Sequence, residues 1–280
     1  MATKPEPGVM TAPGSNRKKF NFADIFLPNR VVSQSSMLAI SALWLIGILI
    51  IWAISPVKAI PKPAEVFNEF GNLWGTMGLG QDLLTSLSLN FRALVASSLI
   101  CLLLSYLTVI PVFRPLVIAL SKGRFLSLVG FSFVFTILIG GGETLKMILL
   151  VIGMTVFLLT SMAAVVAEIP KADFDHARTL RMSEWKVVWE VVVRGTFDQM
   201  FEVIRQNAAI GWMMLTMVEG IVRSGGGVGV MLLNEQKHMK MEAVFAIQII
   251  ILVIGLTQDY VIGALRRLVC PYASLTLERR

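Results

Sequence analysis

The polar stretch EIPKADFDHARTLRMSEWKVVWEVVVRGTFD, from Glu168 to Asp198, decides how this chain is read. Apolar runs long enough to cross a bilayer lie on both sides of it, so it must sit in water against a membrane face. Its residues predict two short helices. The first follows Pro170, carries Asp173 and Asp175 in its opening turn and ends with Arg178 and Arg181. Acid early and base late is the order that the helix dipole favours, by roughly a few tenths of a kcal/mol per charge. The second helix has Ser183 placed to cap it. Trp185, Val188, Trp189 and Val192 then recur at i, i+3, i+4, i+7 as one apolar stripe, with Lys186, Glu190 and Arg194 opposite. An elbow at Arg181-Met182-Ser183 folds the pair into a compact knob. Two readings stand at this point: an amphipathic loop lying flat among lipid headgroups, or a knob that docks into another protein.

Working outward, the chain of 280 residues is 55% hydrophobic and 15% charged, where soluble domains carry about a quarter charged residues. That balance predicts an all-α polytopic membrane protein, which buries its apolar surface in lipid and between helices. About six spans are expected, at Met37–Ile54, Ala93–Val112, Phe125–Ile139, Met147–Ala167, Gln199–Val218 and Ala243–Gly263. The net charge of +7 reflects topology, not nucleic-acid binding, because the bases cluster in particular loops. They fall in an amino tail (residues 1–30, expected to be disordered and without a short apolar signal run), the Arg114–Arg124 linker, the knob, and the carboxyl end with its 273–280 tail. By the positive-inside rule these regions, and both termini, are cytoplasmic, and the transmembrane domain occupies residues 31–272 with its polar segment at 168–198.

No phosphate-binding loop is present. Gly140–Lys146 lacks the second glycine and the Ser/Thr, and the glycines of RSGGGVG (Arg223–Gly229) follow no strand and read as a turn between spans. Cys101 and Cys270 have no metal-ligand spacing, and His176 and His238 lie far apart in polar segments, so neither a metal site nor a catalytic dyad is expected. Asp198, Glu202 and Arg205 near a span end are expected to pair or to reach for the interface, Glu202 and Arg205 at i, i+3. Asn207, Trp212 and Thr216 punctuate the fifth span, either as helix–helix contacts or as the lining of a pathway.

Taken together these residues resemble the permease subunits of bacterial ABC importers, nearest the nitrate/sulfonate/taurine type. The family's cytoplasmic signature is Glu-Ala-Ala, three residues, Gly and a later Leu-Pro. The matching positions read Asp175-His176-Ala177, Arg178-Thr179-Leu180, Arg181, and later Val193-Arg194. Pro61-Lys62-Pro63-Ala64-Glu65-Val66 resembles the motif after the first span, and Gly140-Gly141-Gly142-Glu143 with Lys146 the motif after the third. Arg205, Trp212 and Glu219 recur at sevens as in the family's fifth helix, Gly227-Val228-Gly229 follows, and Asp259-Tyr260 and Cys270-Pro271-Tyr272 fit its ending.

The resemblance implies a type I-like importer fold in a prokaryotic plasma (inner) membrane. It implies a second permease subunit, two ATPase subunits that bind ATP and magnesium, and an external solute-binding protein, with no cofactor and no catalytic residue in this chain. Asp175, Ala177, Arg178, Leu180 and Arg181 would couple to the ATPase, and Asn207, Trp212 and Thr216 would line the substrate path. The cargo implied is a small oxyanion such as nitrate, a sulfonate such as taurine, or bicarbonate. Arg181 stands where the family has an elbow glycine, at a cost of about 1 kcal/mol if its φ is positive, and Leu126-Ser127 replaces a proline pair at the third span. An intramembrane enzyme would need convergent polar residues at mid-bilayer depth, which the chain lacks. A non-transporting membrane partner descended from a permease, with an altered coupling loop, remains the alternative.

Overall fold

The structure, a computed structural model, describes residues 34–57 and 60–271, and no strand occurs among them. Contacts divide the chain into two units, Met1–Pro56 and Val57–Arg280. The first contributes α1 (Gln34–Ile54), which from Met37 on is almost wholly apolar all round and largely exposed, as suits a helix in lipid. The predicted amino and carboxyl tails lie outside the described residues.

The second unit contains α2 (Pro63–Gly75), α3 (Leu79–Leu107), α4 (Arg114–Ser121), α5 (Leu128–Ile139), α6 (Glu143–Ala167), α7 (Lys171–Thr179), α8 (Glu184–Val187), α9 (Phe197–Ile221), α10 (Val228–Lys237) and α11 (Met241–Val269). α2 starts where the sequence supplies a start: Pro63 occupies its first turn, and the Glu65 carboxylate accepts the Lys62 backbone N–H at 2.8 Å. It buries Val66 and Leu73, seven residues apart, and packs on α11.

α9 is the hub, touching α3, α5, α6, α10 and α11. Three apolar layers run along it. Leu145, Leu149, Val218 and Val222 pack at one end. Leu89, Ala93, Leu150, Met154, Trp212 and Leu215 fill the middle. Cys101, Leu158, Leu159, Met162, Met200 and Val203 close the other end, so Cys101 is a packing residue.

Among the described residues four helices, α1, α3, α6 and α11, are long and apolar enough to cross a membrane, consistent with an all-α polytopic membrane protein. The elements depart most from the expected spans at the second, third and fifth. The second span was expected at Ala93–Val112, but α3 begins at Leu79 and takes Asp82 and Arg92 with it. It can do so because both charges are met from neighbouring elements, Asp82 by the Gly227 N–H and Arg92 by Glu143. The third, expected at Phe125–Ile139, is not one straight helix: Leu126 and Ser127 are extended, and Arg114–Phe125 meets α5 at 106°. At about 1.5 Å per residue, the 12 residues of α5 fall short of a bilayer core of about 30 Å. The pair is therefore a broken span or a re-entrant loop. The fifth, α9, has the length but is too polar to pass as an apolar span, and Asp198, Arg205, Trp212 and Glu219 along it meet side chains of other helices.

Candidate functional site

The polar stretch does fold as a helical knob. Pro170 and Asp173 open α7, which ends at Leu180 with Arg181 immediately beyond it at φ +56°. That is the left-handed position at which a helix usually places glycine, so the arginine carries the strain expected for a replaced elbow glycine. Ser183 adopts the extended N-cap backbone before α8 but makes no side-chain cap bond. The elbow is held instead by Arg178, whose Nε and Nη2 donate to the two Glu184 carboxylate oxygens at 3.1 and 3.2 Å while Nη1 reaches Asp175 at 3.4 Å. This fork holds the Glu184 carboxyl below the usual carboxylate range and the Arg178 guanidinium above its own.

Of the five residues assigned to coupling, Asp175, Arg178, Leu180 and Arg181 are exposed and Ala177 is buried, α7 packing on α8 and the turns after it. Ala177 is therefore part of the knob's own interior. The second helix is also wound differently from expectation. Val188–Arg194 is a π-helix, and Val187 and Val192, five apart, are its buried positions. Of the predicted stripe Val192 is buried, and Trp185 and Trp189 are 73% and 57% exposed. Trp185 and Val188 line a wholly apolar cleft with Leu103, Tyr106, Leu107 and Ile110 from the end of α3. Glu190 and Arg194 pair at 3.0 Å on the polar side.

In the middle of α9, Trp212 and Asn207 are buried within the chain itself. Trp212 donates its indole N–H to Gln258 of α11 at 2.6 Å, and Asn90 of α3 donates to the same oxygen at 3.2 Å. Asn207 donates to the Val203 carbonyl one turn back, and Thr216 to the Met213 carbonyl. These are helix-packing contacts. The face that α9 does leave open carries Gln206, Ala209, Met213 and Met217.

Each end of α9 carries a charged cluster. Beside the knob, Arg205 pairs with Glu202, as its i, i+3 spacing predicted, and with both oxygens of Asp259 at 3.1 Å. Arg266 of α11 grips Asp198 at 2.7 and 2.9 Å and also reaches Glu202. At the far end, Glu219 is 0% exposed and accepts from Ser86 at 2.6 Å and from the Gly229 N–H at 2.8 Å. Gly227 N–H donates to Asp82 at 3.0 Å, Val228 N–H to Ser86 Oγ at 2.9 Å, and Lys146 Nζ to the Gly226 carbonyl at 2.7 Å.

Asp82, Ser86 and Asn90 entered no predicted site, although a signal was there. Ser86, Asn90, Ala93, Ser97, Cys101 and Ser105 recur every three or four residues and form one small, polar, buried stripe of α3. Among the described residues no group of His, Cys, Asp and Glu is arranged to hold a metal ion. No protein-family model matches the chain, and no curated protein matches it in sequence.

Proposed function

We propose that the chain is the permease subunit of an ATP-driven importer, with about six spans and both termini in the cytoplasm of a prokaryotic plasma membrane. It pairs with a second permease, takes a small oxyanion from an external binding protein, and is driven by two separate ATPase subunits that bind ATP and magnesium. The observation that carries this reading is the knob. A short helix bearing exposed Asp175, Arg178, Leu180 and Arg181 is clasped to α8, so it can move as one body and present a fixed surface to a partner. Gly195 and Thr196 join it directly to α9, so a push on the knob reaches the hub of the bundle.

The path and the permease–permease contact fall on the open face of α9. Gln206 is costly against lipid, Ala209 permits close approach, and Met213 and Met217 adapt to different neighbours. Trp212 and Asn207 act behind that face by fixing the helix, and Thr216 lies at its edge.

The test is complex formation with a candidate ATPase subunit from the same genome, co-expressed with this chain. Leu180→Asp, on the exposed surface, should abolish co-purification and cargo-stimulated ATP hydrolysis while the chain still inserts and folds. Wild-type association from Leu180→Asp would reject docking through α7. Ala177→Arg, at a buried site, should instead disrupt the knob itself.

A further inference from the structure

The end of α9 away from the knob holds buried charges for which the transport reading has no use. The N–H groups of Gly227, Val228 and Gly229 are the orphan donors of the α10 amino terminus. Each is met by a side chain from another helix: Asp82 and Ser86 of α3, and Glu219 of α9. Lys146 of α6 takes the Gly226 carbonyl and attracts Glu219 electrostatically, and Ser86 closes the set by donating to Glu219. Glu219 and Ser86 are 0% exposed and Lys146 2%. The turn can seat this deeply only because it is glycine. Gly227 has φ +120°, and a Cβ there would run into the Glu219 carboxylate, as one on Gly229 would into the Thr216 carbonyl.

We propose that Asp82, Ser86, Lys146 and Glu219 form a latch that pins the 226–229 turn, so that this end of α9 is the fixed pivot about which the knob end moves. The physical ground is the difference in alternatives. At the knob end two arginines share three carboxylates on side chains that are a fifth to a half exposed, so partners can exchange. At the latch the buried oxygens of Ser86 and Glu219 and the half-buried carboxylate of Asp82 each face a main-chain donor fixed by the turn, and opening the turn would strand the Glu219 and Lys146 charges without water. The pivot rests on the transport reading; the latch does not.

Hydrogen exchange on the full chain in lipid nanodiscs tests the latch. The Gly227–Gly229 amides should be protected like those of the α6 core, and the Ser224–Gly225 amides should not. Glu219→Gln, of the same shape, and Ser86→Ala, which changes no charge, should each lower that protection about tenfold, the equivalent of one hydrogen bond to a charged or buried group. The loss should be confined to residues 223–230. Lys146→Met should do the same, and the Lys146→Met/Glu219→Gln pair should recover part of the loss, because the double change leaves no lone buried charge. Fast exchange in the unaltered turn, loss spread evenly through α6, or a double variant no better than the sum of its parts would each overturn the latch.

Adding the ATPase with ATP tests the pivot. Changed protection in the knob with 223–230 unchanged supports it. A change at 223–230 overturns the pivot and leaves the latch standing, and no change anywhere in the chain overturns the transport reading itself.

Discussion

At its knob end α9 shares Asp198, Glu202 and Asp259 between Arg205 and Arg266; at its other end Glu219 is given over to a glycine turn, with Ser86 and Lys146 around it. Both ends place charge inside a helical bundle, and the cost of doing so is met in different ways. Side chains that remain partly exposed keep some of their hydration, so breaking one pair there leaves other partners and some water. Side chains at 0–2% exposure have neither, and their hydrogen bonds to backbone must all be made together. One helix is thus compliant where it meets the knob and rigid where it meets the turn.

The sharpest way to break this contrast is at the rigid end. Lys146→Met takes from the Gly226 carbonyl its buried donor and from the neighbourhood of Glu219 a positive charge, and should destabilise the chain by about 3 kcal/mol, read as a loss of thermal stability in detergent. Arg266→Gln at the compliant end should cost only about 1–2 kcal/mol, since its carboxylate partners are partly hydrated and Arg205 remains beside them. Equal losses from the two variants would erase the distinction between the ends.

Smaller effects sharpen the account of the knob. Arg181→Gly should raise stability by up to about 1 kcal/mol by relieving the positive φ. That holds if the arginine has no partner on an ATPase; a weakened complex alongside a more stable chain would show that it has one. The smallest effect is on pH. The Arg178 fork lowers the Glu184 carboxyl in the folded state, so the clasp contributes fully above the ordinary glutamate value of about 4.3 and is lost as pH falls through the lower, folded value. Fluorescence of the neighbouring Trp185 should step in that acidic window and lose the step in Glu184→Gln. A wild-type step in Glu184→Gln would put the titration elsewhere.

Composition and run length were enough to establish several apolar helices, and the acid-to-base order with Pro170 was enough to place α7 and its elbow. These features are local: burial in lipid needs only an apolar stretch, and a helix end needs only its own capping and charge pattern. The strain at Arg181 was legible for the same reason, because a left-handed residue after a helix is set by the turn itself. The Glu202–Arg205 pair, one turn apart on a single helix, belongs with them.

What only the tertiary structure decided is which polar residues meet. Asp82 and Gly227 are separated by 145 positions and Asn90 and Gln258 by 168, and no periodicity in either segment names its partner. That Trp212 and Asn207 are enclosed by neighbouring helices was likewise not legible, because the surroundings of a side chain in a bundle depend on what its face is turned towards. The π-winding of Val188–Arg194, with Trp189 exposed and Val192 buried, was not legible for a related reason. A helical wheel assumes 3.6 residues per turn, and the chain departs from that winding where the knob must join the fixed direction of α9.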